Sequence, residues 1–241
     1  MLTLILGRAG SGKTSAIVGD IHKSVAAKSP GSILIVPEQY SHEAERQLCA
    51  VCGDSVSLYA EVLSFSRLTS RVFAETGGVG LRTLDAGGRL LLMSLALTEL
   101  APALRIYNIG RRRTDFLERL LHTYDEFFSS GLGARALFDA METAEGPLRD
   151  KLSDLGLLFA AYEARIPEDM LDPGQKLRLL AEKLPESCVG KTGHVYIDGF
   201  SDFTGLEMAV VEKFIKKFAS AIIDISTVRN NSWFPSCRTN W

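Results

Sequence analysis

The chain has 241 residues, a charged fraction of 23% and a formal net charge of −2, so its composition is that of an ordinary globular protein without an overall basic excess for binding nucleic acid. This length accommodates one large or two small domains with proper cores. No apolar run is long enough to span a membrane, and the N-terminus lacks the charged leader of a signal peptide. Four cysteines are too few for a disulfide scaffold, so we expect a reducing compartment, the cytoplasm.

Strands and helices alternate over the first 64 residues. Three apolar segments predict strands, at Leu2–Leu6, 32–36 and 56–62. The first is typical of a buried, central strand of a parallel sheet. An amphipathic helix is predicted over 13–27, and a second over 41–51 with Ser41 as its N-cap. The residues expected to face inward are Ile17, Val18, Ile21 and Val25 in the first helix, and Ala44, Leu48 and Val51 in the second. This alternation predicts an α/β fold with a parallel, doubly wound sheet, and residues 1–64 form its first part.

Strand signals are almost absent between about residues 64 and 184, where helices are predicted. Amphipathic helices are expected over 114–130 and 147–165. Their predicted inward faces are Leu117, Leu120, Leu121, Tyr124 and Phe128 in the former, and Leu148, Leu152, Leu155, Phe159 and Tyr162 in the latter. Asp172 followed by Pro173 indicates the start of another helix, which is expected to end near residue 184. We therefore expect an all-helical subdomain over 65–184, inserted into the α/β domain.

Strand signal returns near the C-terminal end of the chain. A strand is predicted over 194–198, a helix over about 206–218 and a strand over 221–225, so residues 185–228 are expected to complete the α/β domain. Residues 229–241 show no periodicity and are expected to form an irregular tail. Because this tail ends the predicted sheet abruptly, we interpret the chain as a fragment or as one carrying non-native tail residues.

Residues 7–14 match the phosphate-binding loop (P-loop) pattern G-x-x-x-x-G-K-[ST], between a predicted strand and a predicted helix. The eight residues are Gly7, Arg8, Ala9, Gly10, Ser11, Gly12, Lys13 and Thr14. In such a loop, glycines allow backbone N–H groups to face the phosphates, and the following helix adds its positive N-terminal end. Lys13 is expected to reach the β- and γ-phosphates, and the Thr14 hydroxyl to bind Mg²⁺. The pattern therefore predicts binding of ATP with Mg²⁺.

A second Mg²⁺ ligand is expected from an acidic residue at the end of a neighbouring strand. Asp198 follows the apolar residues 195–197 and is the best-placed candidate, although Asp-Gly is also a common turn sequence. Gly199 occupies the next position, where many ATPases have the glutamate that activates water. Glu207 is expected to lie too far away, on the following helix. We therefore assign no catalytic residue and expect hydrolysis to be slow or absent.

Four segments together carry a family resemblance. They are the P-loop near residue 1, the V-P-E-Q sequence at 36–39, the V-L-S-F-S-R-L sequence at 62–68 and the Y-I-D-G-F-S-D-F-T sequence at 196–204. In this order and spacing, the segments resemble the N-terminal part of AddB, one of the two subunits of the bacterial ATP-dependent helicase/deoxyribonuclease AddAB, and of the related RexB proteins. The resemblance covers roughly residues 1–228.

This resemblance implies a superfamily 1 helicase-like fold, in which a RecA-like domain is interrupted by a helical subdomain. It implies a role in processing DNA double-strand ends for recombinational repair, with an AddA-like helicase-nuclease subunit as heterodimer partner and with duplex ends and single-stranded DNA as ligands. AddB resembles a motor that has degenerated into a DNA-binding scaffold. Its nuclease domain, with an iron–sulfur cluster, is expected at the far C-terminal end of the full-length protein and outside this chain. We therefore expect the chain alone to be a poor ATPase.

Two other functions are compatible with the P-loop. An independent phosphotransferase, such as a small-molecule kinase, would use Lys13, Thr14 and Asp198 in the same way, with the arginine run at 111–113 as its lid. The long helical insertion argues against it. Alternatively, the loop is a vestige that no longer binds nucleotide. The arginine run is interpreted mainly as a solvated loop, with contact to DNA phosphates as the alternative.

Overall fold

The structure is a computed structural model that describes residues 2–108, 114–191 and 193–217, and the backbone of 221–225. The chain divides into two compact units. The first comprises Met1–Val79, Leu179–Phe203 and Glu207–Trp241, and the second comprises Gly80–Arg178 and Thr204–Leu206. The arginine run at 111–113 and the predicted tail at 229–241 lie outside the described residues.

A five-stranded parallel sheet forms the centre of the first unit. Its strands are β1 (Leu2–Leu6), β2 (Ser32–Ile35), β3 (Ala60–Leu63), β6 (Val195–Ile197) and β7 (Ala221–Ile225). They are arranged in the order β1-β7-β6-β2-β3, and every neighbouring pair is parallel. The predicted α/β class with a parallel sheet is confirmed.

The prediction that β1 is a buried, central strand was wrong. Among the described strands, β1 pairs with β7 alone and therefore lies at an edge of the sheet. Its residues are half-buried, and the side chain of Leu6 is 43% exposed. An apolar sequence reflects cover over the two faces of a sheet, and it does not specify how many strands lie alongside. The sequence pattern was therefore insufficient to place β1.

Four helices of the described chain belong wholly or mainly to the first unit. They are α1 (Lys13–Ala26), α2 (Ser41–Cys52), α3 (Phe65–Thr76) and α9 (Gly205–Lys217). The four inward residues predicted for α1 are all buried, and they share a core with residues of β2 and with Tyr196 of β6. One apolar face of α1 therefore fixes the helix, and the P-loop that precedes it, onto the sheet.

The second helix and the third strand differ in detail from the sequence prediction. The N-cap of α2 is Tyr40, which makes no side-chain capping bond, whereas Ser41 is the first helical residue. Val51 is 47% exposed, because Cys52, four residues after the buried Leu48, contacts the core instead. The predicted strand 56–62 is divided, since a 3₁₀ turn covers Asp54–Leu58 and β3 follows it.

The second unit is mainly helical. Its helices are α4 (Ala86–Leu100), α5 (Thr114–Ser129), α6 (Ala134–Thr143), α7 (Gly146–Glu163) and the beginning of α8 (Pro173–Lys183). The five inward residues predicted for α5 are all buried. In α7, Leu155, Phe159 and Tyr162 are buried as predicted, but Leu148, in the first turn, is 56% exposed. Two strands that were not predicted, β4 (Arg82–Thr83) and β5 (Met170–Leu171), pair in parallel, and two residues are too few to show a period.

A buried ion pair connects helices of the second unit. Asp172, with a fully buried side chain, accepts hydrogen bonds through Oδ2 from Arg89 Nε at 2.8 Å and from the Tyr162 hydroxyl at 2.6 Å. Its Oδ1 accepts the N–H of Gly174 at 3.1 Å, so Asp172 also caps α8. Arg89 contacts Asp125 of α5 as well. The predicted helix start is confirmed, whereas the ion pair was not foreseen.

Alkaline pH is expected to destabilise the protein because three tyrosines are held in their neutral form. Burial raises the pKa of Tyr124, Tyr162 and Tyr196 above the ordinary value, and nearby carboxylates add to the effect. Above about pH 10 the unfolded chain loses these protons while the folded chain retains them, so the free energy of unfolding falls as pH rises. Urea denaturation at pH 8, 10 and 11 measures this loss. A free energy of unfolding that stays constant or rises over this range would contradict the assignment.

Candidate phosphate-binding site

The P-loop connects β1 to α1 and turns tightly at its glycines. Gly10 and Gly12 adopt φ angles of 77° and 87°, the left-handed region that other residues avoid. At Gly7, a Cβ atom would lie 2.3 Å from Ser11 Oγ, so only glycine fits without a shift of that side chain. The pattern of glycines in the sequence therefore has a conformational basis in the loop.

Lys13 lies against the loop at the start of α1. Its side chain is buried, and Nζ donates a hydrogen bond to the backbone carbonyl of Arg8 at 3.0 Å. The N–H of Ser11 donates to the same carbonyl at 3.2 Å. These contacts hold the ammonium group over the turn from residue 8 to residue 11, where the family pattern expects phosphates to bind.

The N-terminus of α1 is suited to an anion. Its N-cap, Gly12, provides no side-chain acceptor, and the first turn contains no acidic residue. The positive end of the helix dipole is therefore not neutralised by a carboxylate of its own first turn. Thr14, in this turn, is exposed and presents its hydroxyl on the surface of the first unit.

Asp198 directly follows β6. Its side chain is 5% exposed, and its N–H donates to the carbonyl of Ile35 in β2 at 3.0 Å. Within the described part of the chain, Oδ1 is buried without a hydrogen-bond partner. A buried carboxylate oxygen without a donor is unfavourable by about 1–3 kcal/mol, and a bound cation would remove that penalty.

The two parts of the site leave the sheet at the same edge but not from neighbouring strands. The expectation that Asp198 ends a strand beside β1 was wrong, because β7 lies between β1 and β6. Leu4 of β1 and Ile197 of β6 both align with Ile223 of β7, so their strands end at nearly the same level. Two strand spacings of about 4.8 Å place the backbones of β1 and β6 about 10 Å apart.

One polar contact that supports the site was not predicted. The hydroxyl of Tyr196 donates to Asp20 Oδ2 at 2.8 Å and connects β6 to α1. These elements carry Asp198 and Lys13, respectively. Because the two partners are 176 residues apart, no local sequence pattern could have identified the pair.

A groove of about 1150 Å³ lies elsewhere in the first unit, along the outer edge of β3. Residues of α2, α3 and the segment 188–190 line it. None of the predicted phosphate or metal ligands does. Within the described ranges, no cluster of three or more His, Cys, Asp or Glu side chains is arranged to hold a metal ion, and no helix is both long and apolar enough to cross a bilayer.

Comparison with known proteins identifies the family. Residues 4–233 match the family described as ADDB, N-terminal. The chain belongs to the AddB N-terminal family. Its relatives include the AddB protein of the ATP-dependent helicase/deoxyribonuclease from Caldanaerobacter subterraneus subsp. tengcongensis, which is 33% identical over 227 residues, or 93% of this chain. The proteins of the same name from Clostridium kluyveri and Clostridium tetani are 32% and 33% identical over 88% and 94% of the chain. The chain spans about a fifth of the length of these AddB proteins.

The two segments most particular to AddB meet beside Asp198. A Cβ atom on Gly199 would lie 3.4 Å from Pro37 Cδ and 3.9 Å from Tyr40 Cδ2, so the V-P-E-Q turn packs against the D-G-F segment. The buried ring of Phe200 packs edge-on against Phe65 at 5.5 Å. It also stacks on Phe203 at 4.9 Å. The aromatic residues of the D-G-F-x-x-F-T segment therefore anchor the loop that follows Asp198.

Proposed function

We propose that this chain is the ATP-binding, helicase-like N-terminal region of an AddB-type subunit in a complex that processes DNA double-strand ends. The observation that carries the nucleotide role is the convergence of the P-loop and the buried Asp198 at one edge of the sheet. Its AddB relatives are named as subunits of an ATP-dependent helicase/deoxyribonuclease. That name supports a role in DNA-end repair in the bacterial cytoplasm.

We infer that Thr14 and Asp198 hold Mg²⁺ with the nucleotide. The unpartnered, buried Oδ1 of Asp198 fits this role, because oxygen atoms of carboxylates and hydroxyls are the ligands that Mg²⁺ prefers. When bound, Mg²⁺ would neutralise charge on the phosphates. The P-loop amides, Lys13 and the N-terminus of α1 would orient them.

The strand order supports a RecA-like assignment for the first unit. A parallel sheet in which one strand separates the P-loop strand from the strand of the metal-binding aspartate suits a superfamily 1 helicase-like core. We propose that residues 1–64 and 185–228 form this core and that 65–184 form the inserted helical subdomain. Both parts of the nucleotide site would then belong to one domain.

We also propose that the region is a degenerate motor that serves as a DNA-binding scaffold. Gly199 provides no glutamate beside the metal site and has a φ angle of 79°, which disfavours any other residue. The proposed partners are an AddA-like helicase-nuclease subunit, duplex ends and single-stranded DNA, and the nuclease and its iron–sulfur cluster would belong to the C-terminal part of the full-length protein. Binding of the chain to duplex ends at moderate salt tests the scaffold role, and no binding would argue against it.

Replacement of Lys13 tests the nucleotide role directly. Lys13→Ala is expected to weaken Mg·ATP binding at least about tenfold, because the variant lacks the ammonium group that contacts the phosphates. Isothermal titration calorimetry measures the dissociation constant. Lys23→Ala is the matched control, since Lys23 is an exposed lysine in the last turn of the same helix. Equal binding by the wild type and by Lys13→Ala would support a vestigial loop.

A further inference from the structure

The turn that follows β2 lies beside the proposed metal ligand. Ile35 of β2 aligns with Ile197 of β6, and the carbonyl of Ile35 accepts the N–H of Asp198 at 3.0 Å. The chain then leaves β2 and forms a 3₁₀ turn at Glu38–Tyr40. Because β2 and β6 are parallel neighbours, this turn and Asp198 share one edge of the sheet.

Glu38 is the first residue of that turn, and its side chain is exposed. The residues on either side of it fix its position, because Pro37 and Tyr40 approach within 3.4 Å and 3.9 Å of where a Gly199 Cβ atom would lie. The turn therefore covers the position at which many ATPases have their glutamate. Glu38 provides a carboxylate there from the adjacent strand.

The other carboxylates near this edge already have partners. Asp202 accepts the N–H of its neighbour Phe203 at 2.8 Å. Glu45 pairs with Arg67 of α3. Glu207, in the first turn of α9, is also engaged in an interaction. Glu38 is thus the carboxylate that the fold places next to Asp198 with its side chain open to solvent.

We propose that Glu38 is the general base for the slow hydrolysis of ATP at this site, an inference that rests on the nucleotide-binding function proposed above. The oxygen of a water molecule forms a bond to the γ-phosphorus, and the bond from that phosphorus to the β,γ-bridging oxygen breaks. The water proton passes to the carboxylate of Glu38, and ADP and inorganic phosphate leave. Proton acceptance by a positioned carboxylate contributes about 10²–10⁴-fold to such a rate.

The backbone explains why the base would come from β2. At a φ angle of 79°, Gly199 is in a conformation that costs a glutamate about 1–2 kcal/mol, and Pro37 already lies 3.4 Å from its Cβ position. A glutamate in the Asp198–Gly199 segment would disturb the packing of the turn. The adjacent turn provides the carboxylate without that strain.

Binding of a transition-state analogue tests Glu38 independently of a slow rate. ADP with aluminium fluoride and Mg²⁺ mimics the phosphoryl group under attack, and such analogues bind at least about a hundredfold more tightly than ground-state ligands. We expect the wild type to bind ADP about a hundredfold more tightly with fluoride than without. Glu38→Gln should bring this ratio close to one without changing the affinity for Mg·ADP, and should lower single-turnover hydrolysis of ATP about a hundredfold. Glu38→Asp should restore part of both effects.

Glu43→Gln is the control, because Glu43 is an exposed glutamate in the first turn of α2 and carries the same charge. It should leave the ratio and the rate unchanged. The inference is overturned if Glu38→Gln retains the wild-type ratio, if Glu43→Gln lowers it equally, or if the wild type binds Mg·ADP without any tightening by fluoride. A wild type that binds neither ADP nor ATP would instead refute the proposed nucleotide function.

Discussion

Asp172→Asn is expected to lower the free energy of unfolding of the helical unit by about 3–5 kcal/mol. The side chain of Asp172 is fully buried, and its Oδ2 accepts hydrogen bonds from both Arg89 and the Tyr162 hydroxyl. Asparagine has nearly the same shape, so packing is retained while the negative charge is lost. The guanidinium of Arg89, 14% exposed, would then lack its buried counter-charge. Such an uncompensated charge is the reason for the large expected loss.

Urea denaturation followed by far-ultraviolet circular dichroism measures the effect of Asp172→Asn, because helices dominate the signal of this unit. The control is Asp125→Asn, since Asp125 pairs with the same arginine but is 48% exposed. Solvent screening limits this second pair to about 1 kcal/mol or less. Losses of similar size in both variants would show that burial of Asp172 does not determine its contribution.

The helices of this protein could be predicted because their information is local. In α1 and α5 every predicted inward residue is buried, since a period of 3.6 residues identifies one face of a helix without knowledge of what covers it. The failures occur where other elements decide the outcome. Leu148 is exposed because the helix face turns away from the core at its N-terminus, and β1 lies at an edge because strand order depends on contacts between distant segments.

The candidate site shows the same division between local and distant information. The eight P-loop residues are contiguous, so their pattern was visible in the sequence, and whether they bind nucleotide remains a prediction. The position of Asp198 after a strand was also a local prediction. In contrast, the strand between Asp198 and the P-loop, the contact of Tyr196 with Asp20 and the approach of the V-P-E-Q turn to Gly199 all depend on which strands and helices become neighbours.

Asp198→Asn is expected to weaken nucleotide binding and to stabilise the nucleotide-free protein. If Asp198 holds Mg²⁺, an amide in its place should weaken Mg·ATP binding about ten- to hundredfold or more. Without ligand, however, the buried Oδ1 has no hydrogen-bond donor among the described residues. Removal of the charge from this environment should raise the free energy of unfolding by about 1–2 kcal/mol. The two effects have opposite signs because a preformed metal site retains an unfavourable charge until its ligand binds.

The sign of the stability change distinguishes a metal ligand from a turn residue. If Asp198 merely begins an Asp-Gly turn, its replacement should reduce stability or leave it unchanged, and any loss of affinity would follow from a disturbed fold. Urea denaturation without nucleotide and calorimetric titration with Mg·ATP measure the two quantities on one preparation. Asp202→Asn is the matched control, because Asp202 is an exposed aspartate in the same segment and should leave Mg·ATP binding unchanged. A fall in both stability and affinity for Asp198→Asn would assign this residue to the turn, and the Mg²⁺ role would then have to be abandoned.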